Sequence, residues 1–162
     1  MSSAAEAFEI TVPPAWLDYN NHMNVAYYSL AFDEGGEAFV KRFGMGLEYT
    51  ERTRNSWMVL EAHLTYQNEA RLGDRLRIET RVLDFNQKLA HLYQEMFRGD
   101  QLLATQEQMT LHVSLETRRG APFPPEIFDR LKALHAEQSR LPPPPHAGRR
   151  IAIRKPDNGS AT

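Results

Sequence analysis

The 162-residue chain reads as an α+β domain in which one long helix is wrapped by a strongly curved antiparallel sheet of about five strands. Three observations carry that reading. Val25, Tyr28, Phe32, Gly36, Phe39 and Phe43 recur at spacings of three and four, the period of one helix face. Downstream, four segments of alternating polarity are separated by short turns, as in an antiparallel sheet. The apolar surface of the helix is broad, and such a surface needs a sheet folded around it.

The elements follow in order. Phe8, Ile10 and Val12 alternate with Glu9 and Thr11, a short first strand that Pro13-Pro14 ends. A loop leads to Asn24, which sits where an N-cap belongs. The helix runs from Val25 to Phe43, with Lys41 and Arg42 in its last turn and Gly44 as the stop. Gly35-Gly36 in mid-helix costs ~1 kcal/mol per residue relative to alanine, which points to a close approach by a strand or an acyl chain. Leu47 to Ser56 is charged and irregular, a loop able to lie over a site.

In the next strand Met58, Leu60, Ala62, Leu64 and Tyr66 share one face and Val59, Glu61, His63 and Thr65 the other. After Gly73-Asp74, the residues Leu76, Ile78 and Val82 alternate with charged neighbours. Asp84 to Lys88 makes a turn, Leu89 to Arg98 the next strand, and Gly99-Asp100 a tight connection. The last long strand has an apolar parity of Leu103, Thr105, Met109, Leu111, Val113 and Leu115. Ile127, Leu131 and Leu134 give Pro124 to Arg140 the spacing of a surface helix. Residues 1–140 thus form the domain, and residues 141–162 a Pro-rich, flexible tail that is disordered or draped on a neighbour.

Composition excludes several classes. A net charge of −2 offers no basic field to nucleic acid. The absence of cysteine removes disulfides, a thiolate nucleophile and zinc–sulfur sites. Met1 to Ala7 lacks the basic and apolar regions of a secretory signal. No apolar run approaches the roughly 20 residues of a membrane helix, so a cytoplasmic protein without a membrane partner is expected. His22, His63, His91 and His112 are scattered without metal-ligand spacing, so no metal is expected. There is no phosphate-cradling glycine loop and no nucleophile elbow.

The chemistry concentrates in Asp18-Tyr19-Asn20-Asn21-His22-Met23-Asn24. The first N–H groups of the helix that follows have no intrahelical partner, and the dipole makes that end electropositive. A thioester or ester oxygen placed there gains stabilisation as it becomes an oxyanion. Asp18 beside it can act as general base for water or as nucleophile. The same residues also suit a plain turn with Asn24 as its cap.

Asp-x-Asn-x-His-x-Asn running into a long helix resembles the signature of hotdog-fold acyl thioesterases. It is similar to the form in acyl-carrier-protein thioesterases and, more loosely, in the 4-hydroxybenzoyl-CoA thioesterase-like family. Trp16 to Asn24, together with Leu60-Glu61-Ala62-His63-Leu64-Thr65-Tyr66, resembles a bacterial acyl-CoA thioesterase branch, part of which is associated with carnitine and betaine metabolism. The likeness spans roughly residues 7 to 140 in the order of elements this fold requires. One departure is Asn21, where many relatives carry glycine.

The resemblance implies a hotdog fold and a homodimeric or homotetrameric acyl-CoA thioesterase. No cofactor is implied, coenzyme A being part of the substrate. It makes Asp18 the base or nucleophile, with Asn20, His22 and Asn24 shaping the loop and N–H groups near His22 to Asn24 polarising the carbonyl. Met23, Tyr27, Trp57, Glu61, His63 and Tyr66 would line the substrate site. If their strand is a dimer edge, Glu61 and His63 reach a shared pocket; otherwise they are solvated or cross-strand residues. For a cationic acyl group, Glu61 with Trp57, Tyr27 or Tyr66 would supply charge and aromatic faces.

Glu107 falls on the apolar parity of its strand, so it must be paired or hydrogen-bonded or have a raised pKa, as a second acid, an anchor for the Asp18 loop or a structural carboxylate. Glu34, with Asp33, stands where some hotdog enzymes place their acid, but off the apolar stripe. Lys88, Arg118 and Arg119 can meet the phosphates of coenzyme A, or simply be solvated. Two other readings remain. One is an enoyl-CoA hydratase-like lyase, which pairs an aspartate with a histidine before a helix. The other is a non-catalytic acyl-CoA-binding protein.

Overall fold

The computed structural model describes residues 7–153; the expectations for residues 1–6 and for the tail beyond 153 fall outside them. The strands are β1 (Phe8–Thr11), β2 (Asn55–Tyr66), β3 (Arg75–Phe85), β4 (Leu89–Arg98), β5 (Gln101–Ser114) and β6 (Arg119–Gly120); the helices are α1 (Val25–Arg42), α2 (Leu47–Thr53) and α3 (Pro125–Gln138). The sheet is antiparallel in the order β1-β3-β4-β5-β2, with β6 added to β5. It curls as a half-barrel around α1, the hotdog arrangement.

Helix α1 begins where the sequence places it. Asn24 Oδ1 accepts from Ala26 N at 3.0 Å, and Gly44, at φ +78°, ends the following turn. Tyr28, Ala31, Phe32, Gly35, Gly36, Phe39 and Val40 form the buried face. Val25, expected on that face, is the first residue of the helix and is 59% exposed. Two core clusters line the helix. Trp16, Met23, Tyr28 and Phe32 pack with Leu76 and Met96 at its N-terminal end. Phe39, Val40 and Phe43 pack with Tyr49, Leu92 and Ile127 at its C-terminal end.

The double glycine marks the close approach expected of it. A Cβ at Gly35 would stand 2.8 Å from Ile78 Cγ2, so β3 packs directly on the helix backbone. Beside this contact Gln94 Nε2 donates to Phe32 O at 3.0 Å, and Gln106 Nε2 donates to both Gln94 Oε1 and Gln108 Oε1.

Three further expectations are corrected. Leu47 to Ser56 is not an irregular loop: residues 47–53 form α2 and 55–56 open β2. Buried Tyr49 anchors α2, its hydroxyl 2.8 Å from His112 Nε2 on β5.

Of the odd-numbered apolar set on β5, Leu103 lies in the core, but from Ala104 onward the helix-facing side chains are Ala104, Gln106, Gln108, Thr110 and His112. These polar groups are buried and bonded, Thr110 Oγ1 to Ala90 O at 2.9 Å and His112 to Tyr49. Their polarity disguises the inner face, and a register shift at Met96/Phe97 breaks the strict alternation. Glu107 consequently lies on the outer face.

In β2 the alternation fails at a register shift between Val59 and Glu61. Met58, Val59 and Leu60 are 47–58% exposed on this edge strand.

The C-terminal segment runs along the outer face of the chain's own sheet. Arg81 Nη1 donates to Pro142 O at 3.0 Å, and Gly148 N donates to Glu107 Oε2 at 2.7 Å. Tyr93 stands between those anchors in the strand register and is fully buried.

Candidate active site

The Asp18 motif is a small hairpin closed by an isolated bridge between Leu17 and Met23. Asp18 N donates to His22 O at 2.9 Å and Asn21 N to Asp18 O at 3.0 Å. The Asp18 side chain caps its own turn: Oδ1 accepts from Asn20 N at 2.8 Å and, at 3.4 Å, faces His22 N. Both contacts land on Oδ1. Asn21 adopts φ +60°, the left-handed conformation that asparagine tolerates better than most residues. Where the resemblance leads to glycine, this chain thus carries the residue type best able to keep the turn.

The turn is bolted to two neighbours. Asn24 N donates to Trp16 O at 2.9 Å, and Met23 N to Ala70 O at 2.8 Å. Ala70 N in turn donates to the hydroxyl of buried Tyr28 at 2.9 Å. His22 makes an isolated bridge to Arg71, and its Nε2 lies 3.1 Å from Glu69 Oε2. The loop 67–74 between β2 and β3 therefore supports the motif. Sequence reasoning missed Glu69, Ala70 and Arg71. They lie some 50 positions away, and no spacing rule connects them to the motif.

The backbone donors are mostly spent. The N–H groups of Met23 and Asn24 are used within the fold, and those of Asn20 and His22 face Asp18. Val25 N, the first N–H of α1, is drawn into none of these bonds. As the first N–H of the helix it has no intrahelical partner.

The remaining candidates separate into three places. Tyr27 stacks on Trp16 with ring centroids 5.3 Å apart, and Tyr66 meets Tyr28 edge-on at 5.2 Å; these aromatics adjoin the motif. Trp57 packs with the cluster at the other end of α1. Lys88 and Gly120 are in contact and Arg119 pairs with Ser114, which puts Lys88, Arg118 and Arg119 together at that same far end. A single protomer does not bring Trp57 or these cations to Asp18: α1, with 18 residues at ~1.5 Å each, separates them.

The third place is the outer face. Glu61, His63, His91, Glu107 and Met109 line a cavity of ≈ 250 Å³ beneath Gly148 and Arg149. Glu107, 15% exposed at its side chain, accepts from Gly148 N and pairs with His91 Nε2 at 2.7 Å. Its partners are a strand and the tail, and none belongs to the Asp18 turn. Asp33 and Glu34 are exposed on α1. Among the described residues no group of three or more histidine, cysteine or carboxylate side chains is placed to hold a metal, and no helix is long and apolar enough to cross a membrane.

Comparison with known proteins places this geometry. The model of the thioesterase-like superfamily matches residues 12–131. The betainyl-CoA thioesterase of Pseudomonas aeruginosa is 34% identical over 155 residues, 94% of this chain and 98% of that protein. An L-carnitine dehydrogenase/betainyl-CoA thioesterase of Ruegeria pomeroyi is 39% identical over 145 residues, 90% of this chain but 29% of that longer protein. A Staphylococcus aureus protein solved in complex with CoA superposes with a TM-score of 0.87 at 29% identity, covering 92% of this chain and 95% of its own.

Proposed function

The chain belongs to the thioesterase-like superfamily and is by that membership a thioester hydrolase; we propose that it hydrolyses an acyl-CoA to free acid and CoA with Asp18 as the acid–base or nucleophilic group. One observation carries this reading. Asp18 is fixed through Oδ1 alone at the mouth of α1, so Oδ2 is left to meet water or the thioester carbon. The carbonyl oxygen would lie at Val25 N, where the helix dipole opposes the negative charge of the tetrahedral intermediate. As a base, Asp18 takes the proton of an attacking water; as a nucleophile, it forms an anhydride that water then opens. In either route the carbon–sulfur bond breaks and CoA leaves as its thiol once protonated.

For the acyl group we propose the betainyl class, on the strength of the P. aeruginosa and R. pomeroyi relatives. The aromatic rings of Trp16, Tyr27 and Tyr66 beside the motif suit a quaternary ammonium. A lyase would need the Asp18 and His22 side chains side by side. Here Asp18 faces only the backbone of His22, and the ring is turned to Glu69.

The functional unit in this reading is a homodimer joined through β2. That strand is a free edge carrying exposed Met58, Val59 and Leu60. A two-fold axis would pair β2 antiparallel with itself, setting the Trp57 end of one protomer against the Tyr66 end of the other. The cationic far end of one copy would then approach the Asp18 end of its partner, which a CoA spanning the two requires.

The test is free-thiol release from short, medium, aromatic, β-hydroxy and betainyl acyl-CoAs by the native protein and by Asp18→Asn. Turnover that falls by 10² or more in the variant, as expected on losing a positioned base, supports the reading. Turnover that survives Asp18→Asn overturns the role of Asp18, and thiol release from no member overturns the activity.

A further inference from the structure

The C-terminal segment crosses the outer face of the sheet strand by strand. It meets β3 where Arg81 Nη1 donates to Pro142 O, and β5 where Gly148 N donates to Glu107 Oε2. Arg81, Tyr93, Glu107 and His63 form one cross-strand row, so the segment passes β3, β4 and β5 in turn. At Gly148 and Arg149 it reaches β2, roofing the cavity whose floor includes Glu61 and His63. Next in its path lies the free edge of the sheet. Residues 149–153 carry Ile151 and Ile153, which are 88% and 96% exposed. In an extended chain these two share a side with Arg149, the residue that lines the cavity. Five extended residues reach about 17 Å against ~4.8 Å between strands, so from β5 they outrun the chain's own sheet.

Resting on the dimer through β2 set out above, we propose that residues 149–153 are an arm that crosses the two-fold axis and docks on the outer sheet face of a second copy. That face has an apolar place for it. Met58 pairs with Leu111 and Glu61 with Met109, and by alternation these four share the outer face with Glu107. Met58 is 47% exposed, and Met109 and Leu111 are only partly buried. A two-fold axis at Val59–Leu60, within the exposed edge, sets Glu61 of one copy opposite the partner's Met58. Glu61 lies on the cavity floor under Arg149, so the arm next meets the partner's Met58 and the partner's Leu111. Ile151 and Ile153 cover that pair, and symmetry repeats the contact on the other side. The chain itself has no strand beyond β2 to receive them.

The chain has no cysteine, so an added pair reports the contact directly. The full chain carrying Met58→Cys and Ile151→Cys is oxidised, separated without reductant and digested. A disulfide joining positions 58 and 151 is expected in the covalent dimer, where each cysteine can make only one bond and the link must run between copies. The same disulfide found in the monomer, or no such link, overturns the arm. A second measurement needs no cysteine: Ile151→Asp with Ile153→Asp should raise the dissociation constant about tenfold or more in sedimentation over a concentration series. An unaltered constant overturns the arm as well. The native protein run alongside separates the two failures. If it is monomeric throughout, the dimer reading falls and the arm with it; if it is dimeric and insensitive to the aspartates, the arm alone is wrong.

Discussion

The hydroxyl of Tyr49 on α2 lies 2.8 Å from His112 Nε2 on β5, and His112 Nδ1 lies 2.8 Å from Ala121 O. A carbonyl can only accept, so Nδ1 bears the proton; while burial keeps the ring neutral, Nε2 accepts from the tyrosine hydroxyl. Burial lowers its pKa from 6.5, against a smaller opposing effect of the Ala121 and Pro122 carbonyls. Between the lowered folded value and 6.5 the unfolded chain binds more protons than the folded one. This contribution is therefore fully present above pH 6.5 and lost as the pH falls through the folded value. The melting-temperature advantage of the native protein over His112→Gln should accordingly shrink from pH 7.5 to pH 5. An advantage that stays constant would show that the ring is not held neutral.

The two adjacent glycines of α1 should respond oppositely to alanine. At Gly35 the new methyl would stand 2.8 Å from Ile78 Cγ2 and 3.3 Å from its Cβ. This β-branched, buried side chain has little room to yield. Overpacking costs ~1–3 kcal/mol against ~1 kcal/mol gained in helix propensity, so Gly35→Ala should lower stability in denaturant melts. At Gly36 only Gln94 Nε2, at 3.9 Å, is near. Gly36→Ala should be neutral or stabilising by about 0.5–1 kcal/mol.

Asn24→Ala removes the acceptor for Ala26 N. Loss of an N-cap costs ~1 kcal/mol. Here it also frees the first turn of α1, which carries Val25 N. A stability loss of that size, accompanied by a larger fall in kcat than in thermal stability, is expected from parallel melts and thiol-release assays.

Glu107 latches the C-terminal segment through Gly148 N. In Glu107→Ala that latch is gone, leaving the Arg81–Pro142 bond as the nearer anchor. Trypsin should then cut after Arg149 or Arg150 faster than in the native protein, as timed by mass spectrometry of the released peptide. Equal rates would place the hold on this segment elsewhere.

The proposed dimer rests on the exposed edge of β2. Leu60→Asp puts a charge into an apolar contact and should weaken self-association by about tenfold or more, as read by sedimentation over a concentration series. Thiol release should fall with it, because one protomer does not unite Asp18 with the cations of the far end.

Much of this protein is legible locally. The period of α1, its Asn24 cap and Gly44 stop, the hairpin turns and the Asp18 motif are all set by residues within a few positions of one another. Short-range sterics and hydrogen bonding govern them. So was the need for a close approach at Gly35, since a glycine in mid-helix has a cost that only packing repays. What the tertiary structure decided is everything that depends on pairing across the sheet. The segment after α1 is helical because Tyr49 finds His112, some 60 residues away, and α2 has too few residues to be stable without such an anchor. The inner face of β5 is polar because glutamines 94, 106 and 108 satisfy one another, a solution invisible to a pattern that counts hydrophobic residues. Glu107 belongs to the tail and Glu69 to the motif for the same reason: a carboxylate is defined by the partners the fold delivers, and those partners come from distant parts of the chain.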